Sequence, residues 1–173
     1  MNTYRINFKG LKEGLHQFSF DVTDDFFSQF EKSEIEKGNL KAEVALTKTS
    51  SLLSIEIGIQ GSVFLTCDRC LEEFTHDIDF SGELFVKFGR EDEIDDNVLQ
   101  LDPEASELDL AQYFYESIHL SLPIKRVHPD DKNGNSTCDP EMLKKLNQHK
   151  VKEDSDDDTI DPRWNELKKL MDN

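Results

Sequence analysis

The run Leu53-Ser54-Ile55-Glu56-Ile57-Gly58-Ile59-Gln60-Gly61-Ser62-Val63-Phe64-Leu65-Thr66-Cys67 decides the fold class. Every odd-numbered position is apolar or glycine. Ser54, Glu56, Gln60, Ser62 and Thr66 take the even ones, with Phe64 the exception. A period of two sets one face of a β-strand on a core and the other in water. As one strand the run would reach about 50 Å, longer than most strands. Gly58 and Gly61 are therefore expected to bend or break it.

The same period extends to both sides. Upstream, Phe18, Phe20 and Val22 alternate with polar neighbours, as do Leu40, Ala42, Val44 and Leu46. Between them, Thr23 before Asp24-Asp25-Phe26-Phe27 reads as a capped short helix reaching about Lys32. Downstream, Phe74, Ile78 and Phe80 alternate with Thr75, Asp77 and Asp79. Leu84 to Phe88 follow after Ser81-Gly82, which suggests a hairpin-like continuation. The second half reads as helical. Ser106-Glu107-Leu108-Asp109 resembles a capping box, and Leu110, Phe114 and Ile118 recur at helical spacing until Pro123. Asp139-Pro140 and Asp161-Pro162 each set an N-cap residue before Pro at the first helical position. A last short helix carries Trp164, Leu167 and Leu170 on one side. The expected fold is α+β: an antiparallel sheet or partly open barrel from the N-terminal half, with C-terminal helices packed on it. Residues 1–150 are read as one β-rich domain with helices, 151–161 as an acidic linker and 162–173 as a terminal helix.

Charge limits the possible partners. The 173 residues carry 37 Asp+Glu against 20 Lys+Arg, a net charge of −17. Much of the excess sits in two tracts, 91–96 and 153–158, which read as solvated segments. Such a chain does not coat RNA through a broad basic face, but it attracts the basic tails of proteins. Twelve Phe against one Trp and three Tyr predict a Phe-rich core. No signal peptide or apolar span is legible, and three cysteines, an odd number, favour a reducing cytoplasm over a disulfide framework.

Cys67-Asp68-Arg69-Cys70 ends the long strand. Two residues between thiolates let both sulfurs reach one tetrahedral ion, as in half of a zinc knuckle. His128 and Cys138 are the candidates to complete a structural zinc site, although nine residues between them is long for a zinc loop. His76 shares parity with Phe74 and Ile78 and so points to the core or a sheet edge. Two other readings stay open: buried thiols without metal, and a redox dithiol, for which the pair lacks the helix-opening context. Catalytic signatures are missing. The chain has no phosphate-binding glycine loop, no Gly-x-Ser-x-Gly and no His-Glu-x-x-His, and His119 near Glu116 and Tyr115 reads as a structural contact.

Gly61 to Phe74, with its Cys-x-Arg-Cys-Leu core, resembles the YceD family of large ribosomal RNA subunit accumulation proteins. The likeness continues through Leu108-Asp109-Leu110, then Glu116 to Pro123, and ends at Asp161 to Leu170. In many members a second cysteine cluster follows the Leu-x-Leu-Pro segment, where this chain holds only His128 and Cys138. The resemblance implies a cytoplasmic, non-catalytic factor for 23S rRNA accumulation and large-subunit assembly. Its expected partners are a large-subunit ribosomal protein, pre-23S rRNA or both, with no membrane and no small-molecule substrate. Arg69, Leu71, Lys125, Arg126, Arg163 and Trp164 are the candidate partner contacts, the cations among them set against ordinary solvated charge. An acidic zinc-containing adaptor unrelated to ribosomes is the alternative, and a thiol-redox enzyme a third class.

Overall fold

The computed structural model describes residues 4–89 and 98–149. The tract 91–96, the linker 151–161 and the helix 162–173, with Arg163 and Trp164, lie outside the described residues. The chain divides after Cys138 into two compact units, the second beginning at Asp139.

The first unit is an α+β assembly. Its main sheet has five strands, in the order β2 (Gly14–Thr23), β3 (Gly38–Lys48), β4 (Leu52–Thr66), β5 (Glu73–Phe88) and β6 (Val98–Leu101). Neighbours are antiparallel except β6, which runs parallel to β5, and the sheet stays open. A second ribbon joins β1 (Arg5–Asn7) to β7 (Glu107–Asp109). Two helices complete the unit, α1 (Asp24–Phe27) and α2 (Ala111–Leu120).

The period-two face of β4 is buried from Leu53 to Leu65, apart from half-buried Gly61, and continues into Cys67. Leu40, Ala42, Val44 and Leu46 of β3 and Phe74, Ile78, Leu84 and Val86 of β5 share that face. The cover is aromatic. Tyr4 meets Phe26 edge-on at 4.8 Å, Phe26 meets Phe30 at 5.2 Å, and Phe30 stacks on Tyr115 of α2 at 4.0 Å. Such pairs add about 0.5–1.5 kcal/mol each beyond their buried area. They fasten β1, the α1 segment and α2 together above the sheet.

Four elements differ from their sequence expectation. Gly58 and Gly61 do not break β4, which runs unbroken for 15 residues. β5 likewise passes through Ser81-Gly82 without a hairpin, for 16 residues. A Cβ at Gly82 would lie 2.7 Å from the ring tip of Phe80 and 2.8 Å from the Tyr113 hydroxyl, so glycine there leaves room for both side chains. The segment read as a capping box is instead β7, and the helix begins at Ala111, where Asp109 Oδ1 accepts the backbone N–H at 3.0 Å. α1 ends at Phe27, short of Lys32, and the Thr23 side chain makes no cap hydrogen bond.

In the second unit, α3 (Pro140–His149) starts where Asp139-Pro140 predicts. Asp139 Oδ1 accepts the Glu141 N–H at 3.0 Å, an N-cap bond ahead of Pro at the first helical position.

Candidate metal centre

Cys67 follows the last residue of β4, and Cys70 precedes β5 by two residues. A tight turn joins them. The Leu71 N–H donates to the Cys67 carbonyl and the Cys67 N–H to the Glu72 carbonyl, each at 2.9 Å. Leu71 takes a positive φ of 64°, a cost a non-glycine residue accepts only where its surroundings impose it. The turn aims both thiols inward while the Arg69 N–H points at the Cys67 sulfur, 3.5 Å away.

The other half arrives from the segment after α2. The Asp68 N–H donates to the Arg126 carbonyl at 2.7 Å, and Asp68 Oδ2 accepts the Arg126 N–H at 2.8 Å. These two bonds set His128 beside the turn. The long spacing to Cys138 closes through Asp131, which accepts the N–H groups of Asn133 and Asn135, each at 2.8 Å. Those bonds hold its carboxyl below the usual aspartate range. An isolated bridge between Asp130 and Ser136 then returns the chain toward His128.

Four ligand atoms result, one each from Cys67, Cys70, His128 and Cys138, all within 4.8 Å of one another. The Cys67 and Cys138 sulfurs are 3.7 Å apart. His128 Nδ1 lies 3.4 Å from the Cys70 sulfur and 3.7 Å from that of Cys138. A tetrahedral zinc, with bonds of about 2.3 Å to sulfur and 2.0–2.1 Å to nitrogen, gives edges of about 3.8 Å (S–S) and 3.6 Å (S–N). The three distances fit such edges, whereas a disulfide needs about 2.05 Å. All three cysteines are free thiols with relative exposures of 0% (Cys67), 3% (Cys70) and 4% (Cys138). Phe74 covers His128, their ring centres 5.1 Å apart.

The thiols are electrostatically unequal. Burial raises the Cys67 pKa, but backbone N–H groups of Cys70, Arg69 and His128, with the His128 ring, outweigh it and bring the value to about 6. At Cys138 a Ser136 hydrogen bond lowers the pKa, yet burial and the thiols of Cys67 and Cys70 leave it above the ordinary value. Three sulfurs in one buried volume cannot all ionise cheaply without a cation among them.

Arg69 and Leu71 are exposed on the turn, Leu71 at 68%, and Lys125 is exposed beside fully exposed Ile124. The Arg126 guanidinium is engaged by Glu34 in a short ion pair. His76 sits within β5 opposite Val63 and takes no part in the cluster. His119 donates from Nδ1 to the Tyr115 carbonyl at 2.9 Å, and its Nε2 is buried without a hydrogen-bond partner among the described residues.

An α+β fold whose open sheet sets Cys67 and Cys70 of its central hairpin turn beside His128 and Cys138 of a later loop defines the class of protein. The sequence matches the family described as large ribosomal RNA subunit accumulation protein YceD over residues 55–171. The chain belongs to this family. The matched region holds the Cys-x-Arg-Cys turn, α2 and the His128–Cys138 loop. Comparison with curated proteins and with solved structures returned no match.

Proposed function

We propose that this chain is a non-catalytic factor that supports 23S rRNA accumulation and large-subunit assembly by binding a large-subunit ribosomal protein or pre-23S rRNA. One structural zinc ion would hold its turn in place. The observation that carries the reading is the closed Cys67–Cys70–His128–Cys138 centre within a region matched by the family. Four protein ligands leave no open position for a water or substrate, which distinguishes a structural from a catalytic zinc. The buried sulfurs also argue against a thiol-redox enzyme, whose attacking thiolate must be reached from solvent. Fixing the turn presents Arg69 and Leu71 outward, the natural place for a partner contact.

Depletion of the protein, followed by 23S rRNA quantification and sucrose-gradient profiles, tests the role. A lower 23S to 16S ratio and accumulated large-subunit precursors are expected, with the protein sedimenting among them. A normal profile, with the protein confined to the top of the gradient, would overturn the reading in favour of an unrelated adaptor. RNase treatment before pull-down then separates a protein partner from an RNA partner.

A further inference from the structure

The polar face of the main sheet carries a groove of about 700 Å³ that none of the foregoing uses. It lies over the backbone row Phe18–Val44–Ile57–Gly82, which crosses four strands. Two rows of outward side chains border it: Gln17, Ala45, Glu56 and Glu83 on one side, Ser19, Glu43, Gly58 and Ser81 on the other. Small residues open the floor, and Glu43, Glu56 and Glu83 supply the charge.

Glu56 and Glu83 are direct cross-strand partners, an arrangement in which like charges destabilise a sheet. Neither has a hydrogen-bond or ion-pair partner among the described residues. Glu43 meets Lys41 at 3.7 Å, a contact exposed to solvent. In the next outward row Asp21 and Asp79 stand on either side of Lys41 and Gln60, which adds one net negative charge. Among the described residues, only the cysteine centre brings ligand atoms close enough for one metal ion. The groove carboxylates are instead spread over three adjacent strands about 4.8 Å apart, a span of roughly 10 Å that matches about three extended residues. They face a series of separate cations.

We propose that this groove docks an extended Lys/Arg-rich segment of a protein partner. Side-chain cations would reach Glu56, Glu83 and Glu43 while the segment lies over Ala45, Gly58 and Ser81. Nucleic acid is repelled by the same face, because its phosphates carry the wrong sign. The proposal deepens the functional reading above and rests on it for the partner's identity as a large-subunit protein.

The test uses the whole 173-residue chain and a short fluorescent peptide alternating Lys and Ser, read by anisotropy at low salt. Glu56→Gln with Glu83→Gln is expected to weaken binding about tenfold. Glu13→Gln with Glu104→Gln removes the same charge away from the groove and is expected to change affinity less than about twofold. Equal weakening by both pairs would show diffuse attraction and overturn the groove, as would no effect from the first pair. Tighter binding of a single-stranded RNA oligonucleotide, sensitive to the groove pair, would overturn it in favour of nucleic acid. Gradient sedimentation of the same variants keeps the two proposals apart. Selective peptide binding without large-subunit association supports the groove and overturns the assembly role. Association undiminished in the groove variant overturns the groove alone.

Discussion

At the scale of single residues, the Cys67–Cys70–His128–Cys138 cluster depends on groups that are not among its four ligand atoms. Cys67 and Cys70 were legible because a thiol pair with two intervening residues at a strand end has few uses. His128 and Cys138 were legible only as residue types, since nothing in the sequence shows that Asp131 folds the loop back between them. Cys67→Ser is expected to abolish the bound zinc, found by elemental analysis as one ion per chain in the parent. It should also cost at least about 3 kcal/mol in urea unfolding, because structural zinc is folding energy. A parent protein purified with reduced thiols and no zinc would disprove the metal centre. Asp131 gives a pH prediction. Backbone and side-chain bonds from Asn135 and Asn133 lower its folded pKa, so its contribution is present above the unfolded aspartate value of about 3.9 and lost as pH falls through the lower folded one. The amide shifts of Asn133 and Asn135 should therefore titrate together with a midpoint below that unfolded value. A midpoint at or above it would mean that the loop is not held by Asp131.

At the scale of elements, the two central strands carry the fold, and Gly61 is the residue their pairing least tolerates changing. Its φ is +145°, and a Cβ there would sit 2.3 Å from the Asn39 carbonyl oxygen and 2.6 Å from the Leu40 Cα, both in the adjoining strand β3. Backbone cannot swing aside as a side chain can. Gly61→Ala should cost about 2 kcal/mol or more, whereas Gly58→Ala, whose nearest atom is 4.0 Å away, should fall within about 0.5 kcal/mol of the parent. Equilibrium urea unfolding of both variants checks the contrast, and equal losses would show that Gly61 is not under steric constraint. These strands also mark where sequence reading worked. Fifteen residues of alternation give the inward face of β4 many times over, so its parity was secure. Its continuity was not, because glycine permits a bend without requiring one. Ser81-Gly82 looks like a turn in sequence, yet β5 runs through it and the space beside Gly82 is taken by Phe80 of the same strand and Tyr113 of α2. β1 and β7 have three residues each, too few for any period to show, and Ser106 to Asp109 match a helix start equally well. The groove was invisible for a different reason: Glu56 and Glu83 become neighbours only through the register of β4 on β5.

At the scale of the whole molecule, the net charge of −17 couples stability and binding to ionic strength in opposite senses. The ion pairs among the described residues lie at the surface, from Arg5 with Asp109 to Lys37 with Glu73. Exposed pairs contribute about 0–1 kcal/mol each and weaken with salt. Against them stands the mutual repulsion of the excess carboxylates, including Glu56 and Glu83, which no cation pairs among the described residues, and salt weakens that as well. Among the described residues 24 Asp and Glu stand against 14 Lys and Arg, an excess larger than the four cations held in ion pairs, so the repulsion is the larger quantity. Raising NaCl from about 0.02 M to 0.3 M shortens the Debye length from roughly 20 Å to under 6 Å. The melting temperature of the protein should then rise by about 2–4 °C, the shift that corresponds to 1 kcal/mol for a chain of this size. Over the same interval the affinity for the Lys-containing peptide should fall. Glu56→Gln with Glu83→Gln should reduce both responses, since it removes repulsion from the folded sheet and attraction from the groove in one step. A melting temperature that falls with salt would show that the surface ion pairs outweigh the repulsion. A salt response unchanged by the double substitution would place the repulsion elsewhere on the molecule.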